Sequence, residues 1–175
     1  MPKQVMRRQA ADNEYLHKDF HGALSGGIEY LHNRYGEGAV REYLRQFAAA
    51  YYAPLKQAIR DRGLGALRDH YEAVYRREGG TVRFCGDGDE LVVEVEASPA
   101  VMHMREHGYP VARLFHETVK TVAETICEGT GVAAELVEYD PQTGRSVQRF
   151  RRQAAGADRP TRDTRHPRPT TKGRS

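Results

Sequence analysis

Glu90-Leu91-Val92-Val93-Glu94-Val95-Glu96 decides the fold. The run is rich in β-branched residues, which suit a pleated, half-buried surface. It follows Gly86-Asp87-Gly88-Asp89, and before that turn stands a second β-prone run, Thr81 to Cys85. Two such runs across a Gly/Asp turn predict a β-hairpin. Ser98-Pro99 comes next, the pattern of an N-cap followed by a first-turn proline. A short helix is therefore expected over Pro99–His107, ended by Gly108. Pro110 is expected to begin a second helix running to Glu128, with Val111, Leu114, Phe115, Val119, Val122 and Ile126 on its buried face. Gly129-Thr130-Gly131 stops it. Val132–Tyr139 and Ser146–Arg151 then predict a second hairpin around Asp140-Pro141-Gln142-Thr143-Gly144. The order is ββααββ. Tight hairpins make the sheet mainly antiparallel.

Upstream of the first hairpin the apolar period changes from two to helical. Tyr15, Leu16, Phe20, Leu24, Ile28 and Leu31 recur at helical spacing before Gly36. After Gly36, Val40, Tyr43, Leu44, Phe47, Tyr51, Leu55 and Ile59 form one stripe over Glu37–Arg62. Pro54 falls inside that stripe and should kink or break the helix near Tyr52. A third helix is expected over Leu64–Arg77, with Leu67, Tyr71, Val74 and Tyr75 inward, closed by Gly79-Gly80. The fold class is α+β: a group of three N-terminal helices packed on a sheet of about four strands with two inserted helices.

The chain has 175 residues, 39% of them hydrophobic, enough for one domain with a real core. Its boundaries are drawn at 1–152. Residues 153–175 lack any large apolar side chain and are expected to form a disordered basic tail. The net charge of +3 is carried by that end: residues 151–175 hold eight basic and two acidic side chains, which leaves residues 1–150 at −3. Weak phosphate binding by the tail is conceivable chemistry, but the acidic domain argues against nucleic acid as a main partner. The apolar run Phe47–Leu55 is far short of the ~20 residues of a membrane span, and the N-terminus has no apolar stretch behind its basic residues. No membrane partner is expected. A soluble cytoplasmic protein of bacterial type is the expectation, with a small-molecule ligand and a second copy of the chain as the partners to consider. Two cysteines, Cys85 and Cys127, exclude a disulfide scaffold and a four-cysteine zinc site.

Histidine carries the strongest chemical signal. Of eight, two pairs stand four apart, His17/His21 and His103/His107. Residues so spaced share a helix face and could ligate one divalent metal. Neither pair has the glutamate of a zincin, so a polar pocket without metal is the competing reading. In the first helix Gly22 and Gly26 leave one face almost bare, either for close helix packing or for a ligand. Ten tyrosines, among them Tyr15, Tyr30, Tyr43, Tyr51, Tyr71 and Tyr75 on or near the apolar stripes, bring hydroxyls that need partners. Neither cysteine suits a nucleophile. Cys127 in particular sits in the last turn of a helix, where the dipole raises a thiol. Ser98 stands where backbone N–H groups could hold an anion, although its N-cap role alone explains it.

Leu91–Arg151, with LVVEVEA, Ser98-Pro99-Ala100-Val101-Met102-His103, the Gly108-Tyr109-Pro110 turn, a long helix and a last strand ending Gln148-Arg149-Phe150, resembles the L-2-amino-thiazoline-4-carboxylic acid hydrolase-like family. It is similar, more distantly, to 4-vinyl reductase-type ligand-binding domains. The first resemblance implies a small-molecule hydrolase acting on a cyclic C–N bond. The second implies a sensor or carrier domain holding a ligand or metal without turnover. The chain departs from the hydrolase pattern where the family has cysteine: Ser98 precedes Pro99, and Leu114-Phe115-His116-Glu117 has no thiol. The catalytic candidates are accordingly His103 and His116 as bases, with Glu117 to orient an imidazole. His17, His21, Gly22, Gly26, Ser98 and His107 are the candidate substrate contacts.

Overall fold

The computed structural model describes residues 16–153, with side chains from Phe20 onward. Apart from Gln153, the expected tail lies outside the described residues. Ten elements follow one another: α1 (Leu16–Tyr35), α2 (Glu37–Tyr51), α3 (Ala53–Arg62), α4 (Leu64–Glu78), β1 (Val82–Gly86), β2 (Glu90–Val95), α5 (Pro99–Glu106), α6 (Glu117–Cys127), β3 (Val132–Tyr139) and β4 (Ser146–Arg152). The architecture is α+β, with the helical group preceding a four-stranded antiparallel sheet.

The two hairpins join through their second strands, giving the order β1-β2-β4-β3. Phe150 stands opposite Leu91 on one side and Ala134 on the other, and Gln148 stands opposite Val93. Alternation then sends Leu91, Val93, Val95, Ser146, Gln148 and Phe150 to the covered face, where all are buried. The arginines and glutamates between them stay on the other face: Arg151 Nε donates to Glu90 at 2.5 Å, and Arg149 lies 3.6 Å from both Glu90 and Glu135.

One apolar cluster lies under the sheet. Ile59, Leu67, Ile126 and Cys127 pack there with Val93 and Phe150. A second joins Ile28, Val40, Leu44, Val101, Met104 and Phe115 at the helical end, and Val122 touches both. Fully burying a side chain such as Phe150 stabilises by roughly 1.5–3 kcal/mol.

Several expectations need correcting. The helical group has four members, because Pro54 does break the long stripe: α2 ends at Tyr51, Tyr52 caps it, and α3 restarts at Ala53. The helix expected from Pro110 begins only at Glu117. Residues 113–116 form turns instead. Tertiary bonds hold the segment open: Ser25 Oγ in α1 donates to the Pro110 carbonyl and accepts from the Ala112 N–H, each at 2.8 Å. His116 is thus the cap of α6 rather than a residue within it. The tyrosines also divide. Tyr71 and Tyr75 are partly buried against the core, whereas Tyr30, Tyr43 and Tyr51 are exposed. Tyr15 lies outside the described residues.

At α5 the local signal was sufficient. Ser98 is extended, Pro99 follows at the first helical position, and the Ser98 hydroxyl accepts from the Val101 N–H at 3.5 Å. The Ser98 N–H donates to the Thr143 carbonyl in the β3–β4 turn at 2.9 Å. Gly144 lets that turn approach: with φ at +67°, its missing Cβ would stand 2.5 Å from the Ser98 Cβ.

Candidate functional site

Glu117 is the first residue of α6 and is 1% exposed. A carboxylate at a helix N-terminus is favoured by the dipole, but a buried one needs partners. Three side chains supply them. Arg41 Nε, from α2, donates to Oε1 at 2.9 Å. Thr121 Oγ1, one turn along α6, donates to Oε2 at 2.5 Å. His116 Nε2 lies 3.6 Å from Oε1. Burial pushes the carboxyl up, yet the bonds from Thr121 and Arg41 and the charges of Arg41 and His116 outweigh it, holding Glu117 below the usual range. The guanidinium is raised in turn by the hydrogen bond and charge of Glu117. It is shared, since Nη2 donates to Glu37 at 3.1 Å. Nη1 has no partner among the described residues.

The ring of His116, about one-third exposed, packs against Tyr139 at the end of β3 with centroids 5.8 Å apart. The Tyr139 phenol is pushed up to about 12, chiefly by burial and further by Asp140. Arg41, His116 and Tyr139 therefore form a partly open polar rim over an ionised, buried carboxylate.

The other histidines form a different group. His107 caps α5, with Nδ1 2.9 Å from the His103 carbonyl and the two rings 4.1 Å apart. Tyr109 stacks on His107 and lays its ring on Gly22 of α1, where an added Cβ would stand 3.3 Å from Cδ2. Gly22 thus permits a close approach. Gly26 does not, for nothing lies within 4 Å of its missing Cβ. His21 ties α1 to the end of α4, with Nε2 3.5 Å from Glu78 Oε2. His17 lies in α1 with its side chain outside the described residues. The structure brings His103, His107 and Gly22 together through Tyr109. It sets His116 and Glu117 against α2 and β3, and it gives Ser98 to the helix cap. Among the described residues no three His, Cys, Asp or Glu side chains gather as a metal site.

Elsewhere the polar interior is used structurally. Tyr71 OH donates to Gln148 Oε1 at 2.7 Å under the sheet. The buried Cys127 thiol is pushed up to about 12 by burial. Cys85 is exposed, and neither forms a disulfide. A surface groove of about 280 Å³ runs between α1 and α2, with Phe20, Tyr30 and Tyr43 around Ala23 and Gly27. Among the described residues no helix is long and apolar enough to cross a membrane.

Sequence reasoning missed Arg41, Thr121, Tyr139 and Ser25. One signal was available: Glu117 interrupts an apolar helical face, and such a carboxylate requires a cation from elsewhere. Nothing in the spacing of α2 marks Arg41 as that cation. No family model matches the chain, and no curated protein matches it either.

Proposed function

We propose that this domain binds a small molecule without turning it over, at the rim formed by Arg41, His116 and Tyr139. One observation carries the reading: Glu117, nominated to orient an imidazole, is already held by Arg41 and Thr121, and two of the nominated contacts, Ser98 and His107, are engaged in capping α5. Glu117 is ionised and saturated by Arg41 and Thr121, so it is poorly suited to act as a general base near neutral pH. Ser98 Oγ caps α5, and His107 Nδ1 is engaged by a backbone carbonyl. The 4-vinyl reductase-type resemblance points the same way. Around the rim two carboxylates, Glu37 and Glu117, flank one guanidinium. That negative excess favours a ligand offering neutral or cationic N–H donors over a purely anionic one.

The nearness of His116 to Glu117 is the one feature that favours the hydrolase reading, and a single assay scores both. Small heterocyclic amines, amides and carboxylates are titrated calorimetrically, and each mixture is followed by NMR. Saturable binding of an N–H-bearing heterocycle without product, weakened by His116→Ala, is the expected result. Release of a ring-opened product would establish the hydrolase instead. Binding that is indifferent to His116→Ala, or no binding at all, would remove the rim as the site.

A further inference from the structure

Glu117 is held too low to take a proton near neutral pH, but its charge still acts on what stands beside it. Oε1 meets two side chains: Arg41 Nε donates to it at 2.9 Å, and His116 Nε2 lies 3.6 Å away. The second distance is too long for a hydrogen bond. Electrostatics still operates across it. The carboxylate is buried, and the bonds from Arg41 and Thr121 fix both of its oxygens, so it cannot turn away from the ring.

A neutral imidazole carries one N–H and one lone pair, and its surroundings choose which nitrogen holds the proton. A lone pair on Nε2 would point at a negative oxygen, whereas an N–H there turns its positive end toward it. We propose that Glu117 is a positioning residue: it fixes neutral His116 with the proton on Nε2, so that Nδ1 presents a lone pair at the rim and takes an N–H of the ligand. The inference rests on the rim being the binding site, and it names the atom that selects the ligand there. A unit charge this close to a ring dipole biases the two tautomers by about tenfold at the effective dielectric of a partly buried site.

Nδ1 is available for that role. It bonds to no described residue and is open to solvent, on a side chain about one-third exposed. Arg41 supplies the complementary chemistry. A guanidinium has only donors, and its Nη1 has no partner among the described residues. A neutral cyclic amide matches both groups: its N–H donates to Nδ1, and its carbonyl accepts from Arg41.

Nitrogen NMR of the full chain tests this, because imidazole shifts separate a nitrogen that bears a proton from one that bears a lone pair. The His116 signals are those that His116→Ala removes, and the spectra are taken where that ring is neutral. The free protein should show one tautomer, with the proton on Nε2. Glu117→Gln removes the charge and should bring in the other tautomer. δ-Valerolactam is the ligand probe. It should shift the Nδ1 signal saturably, and its N-methyl derivative, which lacks the N–H, should not. A ring that averages both tautomers in the free protein, or holds its proton on Nδ1, would overturn the proposal whatever binds. A fixed ring indifferent to Glu117→Gln would overturn the role of Glu117. A fixed ring that both lactams shift alike would overturn recognition of the N–H. A fixed ring that neither shifts would overturn that recognition together with the rim as the site. The tautomer and the lactam responses are read on the wild-type chain and need no folded variant.

Discussion

Arg41 Nε, from α2, donates to the buried Oε1 of Glu117, the first residue of α6, at 2.9 Å. This bond crosses 76 residues of chain and joins the helical half to the half that carries the sheet. Arg41→Ala would leave the carboxylate with only Thr121 and His116. The expected cost is about 1–3 kcal/mol, read from urea unfolding at neutral pH. Arg41→Ala combined with Glu117→Gln should recover part of that loss, and a double variant no better than the single one would show that the pair is not coupled.

The same carboxylate sets an acid limb. Its folded value lies below the ordinary 4.5. Its contribution is therefore fully present above about pH 4.5 and is lost as pH falls through the folded value. Glu117→Gln should flatten that part of the stability–pH curve and leave the neutral plateau lower. Melting temperatures from pH 3 to 7 check it, and an unchanged acid slope would count against the assignment.

Ser25 is a second joint. Serine is no better than average inside a helix, yet this one holds Pro110 and Ala112 by two bonds of 2.8 Å. Ser25→Ala strands a buried N–H, at an expected cost of about 1–3 kcal/mol. Hydrogen exchange at the Ala112 amide should accelerate more than exchange in β4. Equal acceleration at both would mean global destabilisation only.

Two glycines of one helix should respond oppositely to larger side chains. Gly26→Ala meets open space and removes backbone freedom from the unfolded chain, so it should stabilise by about 0.5–1 kcal/mol. Gly22→Leu would drive a branched side chain into the Tyr109 ring and should destabilise. Thermal unfolding of both variants separates the two environments.

Thiol labelling at pH 8 should modify Cys85 promptly and spare Cys127. Burial holds the Cys127 thiol near 12, so thiolate is scarce, and the core blocks the reagent as well. Two rapidly reacting thiols in the native protein would contradict this burial.

Local chemistry was enough for much of the architecture. The Gly86–Asp89 turn between two β-prone runs, the Ser98-Pro99 start of α5 and the Pro54 break each act over four or five residues, where backbone sterics and capping dominate. The long strand run from Glu90 carried the antiparallel sheet with it. The segment from Pro110 to His116 was misread because its apolar residues do recur at helical spacing; two bonds from Ser25, some 85 positions away, hold it in turns. The tyrosines of α1 and α2 were misplaced for a related reason. Periodicity finds an apolar stripe, but not which edge of it the neighbouring helices cover.

The candidate site divides along the same line. The sequence by itself singled out Glu117 beside His116, but only to orient an imidazole and with no partner named for its carboxylate. It also determined that Ser98 would cap α5, and that glycine at position 22 or 26 could admit a close neighbour. Only the tertiary structure decided that the partner is Arg41, that Tyr109 takes the space at Gly22 while Gly26 meets none, and that His103 and His116 join different side-chain groups. Capping and turn preferences are written within a few consecutive residues. The pairing of side chains 76 or 87 positions apart is settled by how the two halves of the core pack, and no short-range pattern encodes that.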